Sequence, residues 1–281
     1  MNFSVKCFSK TVLVFAFLIV SNLGIAQPTQ GRSFNSKTDT LHLFLIGNSF
    51  SQNASRYLPQ LAKEGGHHLV IGRAELGVCS LEKHWELVEL AEASPNDPKG
   101  KPYNGKSLRM LLSEGVWDVV TLQQYSKLSG DQATYMPYAR KLYDFIKSLQ
   151  PNAKVVFHQT WAYRSDSRDF SQIGPDRFAK SEKEMWQKSR AAYRAVAAEL
   201  GVEIIPVGDI FHKVNSGNKA FRKDKKYDDK NPVYPALPDQ KYSLHAGYYW
   251  DSSHKLNFDS HHANDAGCFL ASLVWLSLIH I

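Results

Sequence analysis

Cysteine is scarce in this chain: three residues in 281, at positions 7, 79 and 268. Three cannot build the disulfide framework of a small stapled scaffold. Neither Cys-x-x-Cys nor His-Glu-x-x-His occurs, so no spacing points to a zinc site, and no cofactor is expected. A stripe of Lys and Arg is also missing. The formal net charge is +7, and Lys6 and Lys10 lie in a leader expected to be removed, leaving +5. So mild an excess, with no recognised binding module, reads as a solvated basic surface and argues against nucleic acid as a partner. There is no internal repeat. A hydrophobic fraction of 43% excludes a disordered chain.

The apolar run Val12–Val20 has nine residues, well short of the ~20 that a membrane span needs. With Lys6 and Lys10 before it and Gly24-Ile25-Ala26 after it, residues 1–26 read as a secretory signal peptide cleaved near Ala26. An uncleaved anchor is the weaker alternative. The mature chain is then expected to be secreted or periplasmic, without stable membrane association. Cys7 leaves with the leader. Cys79 and Cys268 would be free to pair in an oxidising compartment, although two buried thiols is the preferred reading. Residues 27–40 read as a polar leader, and residues 41–281 as one domain.

That domain is organised around Leu41–Ala54, LHLFLIGNSFSQNA. An apolar run, Leu43–Ile46, stops at Gly47-Asn48-Ser49, as a buried parallel strand ending in a turn would. Further strands are predicted at His68–Gly72, Trp117–Leu122, Lys154–Phe157 and Val202–Val207. Helices are predicted from near Pro59, from Ser80, from Pro137, from the Ser181-x-x-Glu184 capping box to Leu200, and from Asn264 to Leu278. Residues 164–180 read as irregular, and 215–250 as a long loop of the kind that often carries function. Five strands alternating with helices predict a doubly wound α/β domain. Right-handed crossovers then bring every strand's carboxyl end to one rim. Ser49, Gly77, Gln123 and Trp161 all follow predicted strands, so all are expected on that rim, where ligands bind in open α/β sheets.

Ser49 is the candidate nucleophile. A serine hydroxyl attacks a carbonyl poorly unless a base removes its proton, and that base is usually a His oriented by a carboxylate. Asp259-Ser260-His261-His262 offers both within one short segment. Asp251-Ser252-Ser253-His254 offers a second copy, and spacing alone does not choose between them.

Gly47-Asn48-Ser49-Phe50 resembles the nucleophile block of the SGNH (GDSL-like) hydrolases. Asp259-x-x-His262 with Gly267 five residues beyond resembles their closing block, and Asp251-x-x-His254 has no Gly at that offset. The resemblance therefore selects Asp259 and His262. It is closest to a secreted bacterial branch with little assigned biochemistry. It implies a flavodoxin-like three-layer α/β/α sandwich on a five-stranded parallel sheet. It also implies an oxyanion site made by the Ser49 N–H, a glycine N–H matched here by Gly77, and a side-chain amide. The usual Gly-x-Asn-Asp block that supplies this amide is absent. The chain reads Leu122-Gln123-Gln124-Tyr125-Ser126, so Gln123 or Gln124 is the expected substitute.

Tyr125, Trp161 and Tyr163 follow strand ends and are expected to bind substrate, because aromatic faces offer flat apolar area with polar edges to a sugar ring. Tyr242, Tyr248, Tyr249 and Trp250 in the long loop add to this. With secretion and the resemblance, the expectation is a serine esterase that removes O-acetyl groups from glycans and needs no metal. An esterase or thioesterase on lipid or small acyl substrates stays open, as does a noncatalytic glycan-binding protein on the same fold.

Overall fold

The computed structural model describes residues 40–172 and 178–279, all within one compact unit, Lys37–Ile281. The predicted signal peptide and all of the leader but Thr40 lie outside the described residues. Five strands make a wholly parallel sheet: β1 (Thr40–Gly47), β2 (His68–Glu75), β3 (Val119–Leu122), β4 (Lys154–His158) and β5 (Glu203–Ile205). Their spatial order is β2-β1-β3-β4-β5, the flavodoxin-like order.

Strand β1 shows why the sheet needs two helical layers. Leu43 and Leu45 face one side and Phe44 and Ile46 the other, and all four are buried. The first pair joins a core with Leu58, Phe211 and Trp275, from helices α2 (Leu58–Glu64), α7 (Val207–Asn215) and α8 (Asp265–Leu278). Short helix α1 (Ser49–Ala54) lies on this side too, through Phe50 and Ala54. The second pair packs with Leu81, Leu108, Leu142 and Tyr193, from α3 (Leu81–Ala93), α4 (Leu108–Leu112), α5 (Tyr138–Leu149) and α6 (Glu182–Leu200). This is the expected three-layer α/β/α sandwich. Ser80 and Ser181 cap α3 and α6 through their hydroxyls, and Asn264 caps α8. Cys79 and Cys268 are both buried and free.

The long-loop expectation is corrected at its far end. Before that loop the predicted strand Val202–Val207 stops at Ile205, and Val207 opens α7, whose Val207 and Phe211 are buried. At the far end, β6 (His245–Trp250) pairs antiparallel with β7 (Leu256–Ala263) as a separate two-stranded sheet. The loop between α7 and β6 is tied down by Arg164, only 2% exposed, which donates from Nε and Nη2 to Asp166 at 2.6 and 2.9 Å. Its third nitrogen, Nη1, donates to Gln240 Oε1 at 2.6 Å, and its guanidinium lies 4.4 Å from the centre of the Phe221 ring. Strand β2 also runs three residues past the predicted Gly72, because its whole length pairs with β1 up to Gly47↔Glu75.

Candidate active site

Gly47 ends β1 and Asn48 turns the chain, so Ser49 opens α1 at the carboxyl end of the sheet. Asn48 is the N-cap: its Oδ1 accepts the Phe50 N–H at 3.1 Å. Ser49 Oγ lies 2.8 Å from His262 Nε2, across 213 positions of sequence. His262 Nδ1 lies 2.7 Å from Asp259 Oδ2. Since the carboxylate can only accept, Nδ1 carries the proton, Nε2 presents its lone pair, and the Ser49 hydroxyl donates to it.

The carboxylate is itself fixed. Asp259 Oδ1 accepts the backbone N–H groups of His261 at 2.9 Å and His262 at 3.0 Å. Burial alone would raise this carboxyl, but the bonds from the His262 ring and the two N–H groups outweigh it and hold the group well below the usual carboxylate range. The His262 imidazole is raised, first by its hydrogen bond to Asp259 and then by that residue's charge, against partial burial. Its side chain is 41% exposed, so a ligand can reach it.

Three side chains, Asn53, Ser272 and Trp161, bring these distant parts of the chain together. The Ala263 N–H donates to Asn53 Oδ1 at 3.0 Å, linking the end of β7 to α1. Ser272 Oγ of α8 donates to Ala54 O at 2.7 Å and accepts from the Tyr57 N–H at 3.1 Å. Trp161 Nε1 donates to His261 O at 2.9 Å while its ring packs 4.4 Å from Phe50, bridging α1 and the Asp259–His262 segment. A second His–carboxylate pair stands alongside, His261 Nε2 lying 2.7 Å from Asp169 Oδ2, with Lys127 Nζ 3.2 Å from Asp169 Oδ1.

Several expected site residues are placed differently. Gln124 is fully buried and its amide is spent: Oε1 accepts from Leu81 N and Tyr125 N, and Nε2 donates to Thr134. It is a strut between loops, with no donor left for an oxyanion. Gln123 is also buried, with Nε2 donating to Asn48 Oδ1 at 2.6 Å and Oε1 accepting from His158 Nδ1 at 3.1 Å. One of its two amide hydrogens is thus used on Asn48. Trp161 is 0% exposed and Tyr163 2%, so neither has a face to offer substrate. Trp161 stacks on Phe211, and Tyr163 packs its ring against His261 and shares a hydrogen bond with Ser126 Oγ at 2.8 Å. Tyr125 is half-buried on the same rim, and Gly77 is exposed in the turn after β2, with open space where a Cβ would project.

The rival pair is separated from this site. Asp251 caps its own hairpin turn, accepting from Ser253 N, Ser253 Oγ and Lys255 N, while His254 stacks on Tyr234 at 3.9 Å. What sequence reading missed is the supporting set: Asn48 as cap and junction, Asn53, His158 and Asp169. Asn48 alone carried a local signal, since Asn directly before a helical segment is a strong N-cap.

Among solved structures the chain is similar to a DUF4886 family protein from Bacteroides uniformis ATCC 8492. The two share 23% identity over 86% of this chain and 84% of that one, with a TM-score of 0.65. An acetyl xylan esterase matches at 15% identity over 85% of this chain and 100% of that one, with a TM-score of 0.47. A family 3 carbohydrate esterase of Clostridium thermocellum matches at 10% identity, over 85% and 94%, with a TM-score of 0.46. Likenesses as distant as these last two carry no argument about chemistry. No curated protein matches the chain. Residues 42–229 match the family described as a domain of unknown function, DUF4886, and span β1 through much of the loop before β6. With two thirds of its length inside that match, the chain belongs to the DUF4886 family.

Proposed function

We propose that this protein is a serine esterase working by two-step acyl transfer. The observation that carries the reading is the hydrogen-bonded series Asp259 Oδ2, His262 and Ser49 Oγ, with links of 2.7 and 2.8 Å. His262 Nε2 takes the Ser49 proton as Oγ attacks the ester carbonyl, and Asp259 holds the ring in the required tautomer and stabilises the imidazolium. The N–H groups of Ser49 and Gly77 receive the oxyanion. His262 returns the proton to the departing alcohol, and water then repeats the sequence on the acyl-enzyme.

Removal of O-acetyl groups from glycans is the finer reading, in a secreted or periplasmic protein. With Trp161, Tyr163 and Tyr248 buried, its aromatic support narrows to half-buried Tyr125 and Trp250 and to exposed Tyr242 and Tyr249. Tyr249 lies on β6, the partner of the strand that holds Asp259 and His262, and Tyr242 just precedes it. The test is acetate release from a panel of acetylated polysaccharides beside hydrolysis of an aryl acetate, wild type against Ser49→Ala. Loss of both in the variant is expected. Near-normal turnover of the aryl acetate by Ser49→Ala would end the assignment, and aryl acetate activity without acetate release would leave an esterase for other acyl substrates.

A further inference from the structure

The carboxyl rim of the sheet carries a buried polar chain that the reaction described above does not use directly. His158 Nδ1–H donates to Gln123 Oε1 at 3.1 Å, Gln123 Nε2–H to Asn48 Oδ1 at 2.6 Å, and Asn48 Nδ2–H to Cys79 O at 3.1 Å. Each of the three side chains is about 1% exposed. The chain steps across the ends of β4, β3 and β1 and finishes on the turn that follows β2. All its bonds point the same way, and buried amides without these partners would carry a full desolvation cost.

The turn it reaches, Leu76–Cys79, is tied at both ends. Leu76 N donates to Gly47 O at 3.0 Å, Cys79 N closes the turn on Leu76 O at 3.4 Å, and Asn48 grips Cys79 O. Between these ties, the N–H groups of Gly77 and Val78 have no acceptor among the described residues. Val78 has φ +58°, a left-handed conformation that costs a β-branched residue strain. The residue is 70% exposed, so its own packing does not compensate. The strain is therefore held from outside the turn, and a strained backbone held in this way is a pointer to function.

We infer that Asn48, braced by Gln123 and His158, is a positioning residue that keeps the Leu76–Cys79 turn in its strained form, leaving the Gly77 and Val78 N–H groups free to receive the oxyanion. The inference rests on the acyl-transfer reading. It also gives the residue after β3 a role different from that of a donor. Gln123 acts through Asn48 rather than on the substrate.

Gln123→Met tests this, because it keeps the volume and removes both amide bonds. The expected result on an aryl acetate is a fall in kcat of about 100-fold, the scale of a misplaced reacting group, with KM changed by less than about threefold. Adding Val78→Gly should restore at least about tenfold of the lost kcat, because glycine takes the left-handed conformation without strain. If Gln123→Met does not fold, as judged by circular dichroism and thermal melting, Asn48→Asp replaces it. An aspartate there still accepts from Phe50 N but faces Cys79 O with a second acceptor, and the same loss and the same rescue are expected. Unchanged kcat, or a loss that Val78→Gly does not relieve, would overturn the inference. Ser49→Ala is the control: an active Ser49→Ala protein would remove the acyl-transfer reading and this inference with it, whereas an inactive one beside a fully active Gln123→Met would remove the inference alone.

Discussion

Asp259 accepts three N–H groups from its own segment: the ring Nδ1 of His262 and the backbone nitrogens of His261 and His262. One carboxylate therefore sets both the shape of the segment and the tautomer of the ring. Asp259→Asn keeps an oxygen for the backbone bonds but presents an amide to the ring, which favours the opposite tautomer. The expected outcome is a fall in kcat of about 10³–10⁴-fold with the fold retained, measured on an aryl acetate.

The pH profile follows from the same contact. On the acyl-transfer reading catalysis needs neutral His262, so activity should rise as that ring loses its proton. The hydrogen bond to Asp259, and then its charge, stabilise the imidazolium and raise the ring above its ordinary 6.5. The acid limb of kcat/KM should therefore have its midpoint above 6.5. In Asp259→Asn the residual activity should show a lower midpoint, because the stabilising charge has gone.

Stability should also fall in acid, but through histidines shifted the other way, downward by burial. Burial pushes His84 down to about 4, His158 to about 3 and His245 to about 4. Their folded values lie below the unfolded one, so between about 6.5 and 4 the unfolded chain binds more protons and stability falls as the pH falls. Each such ring costs up to about 2 kcal/mol at pH 5 relative to pH 7. Urea midpoints at these two pH values should move accordingly, and His84→Gln should reduce the difference.

Gly267 is required by a close approach of backbones. A Cβ there would collide with the carbonyl oxygen of Leu244 and meet the Ala263 side chain at 3.0 Å. Neither neighbour is the free end of a long side chain that could swing away. Gly267→Ala should destabilise the protein by about 1–3 kcal/mol and loosen the seat of α8 beside β6, as measured by urea unfolding and by loss of activity.

The parallel sheet and its flanking helices were legible because their signals are local: apolar runs such as Leu43–Ile46, and caps such as Ser80 and Ser181. Ser49 was legible from the strand-end turn, and Asp259 and His262 only through the family resemblance, since the fold alone brings residues 213 positions apart into contact. The hairpin was not legible. Leu256–Ala263, LNFDSHHA, is too polar to read as a strand, and it earns that state by pairing with His245–Trp250. The aromatic residues misled for a related reason. A residue after a strand end lies on the rim, but whether its ring faces outward depends on the neighbours packed over it, and Trp161 and Tyr163 are covered by Phe211, Phe50 and His261. For the glutamines, the residue type was informative and the partner was not, since an amide that can serve a ligand can equally bind another loop.

The two partners of the Ser49–His262 hydrogen bond ride on separate ladders: Ser49 follows a strand of the five-stranded sheet, and Asp259 and His262 belong to the two-stranded one. No strand ladder joins these two sheets among the described residues; they are locked by bonds from the segment after β4, Arg164 N–H to Ser260 O and Trp161 Nε1 to His261 O, each at 2.9 Å, and by Asn53 with Ala263. With no shared strand register to fix it, any shift of one sheet against the other is read directly in the separation of Ser49 Oγ and His262 Nε2.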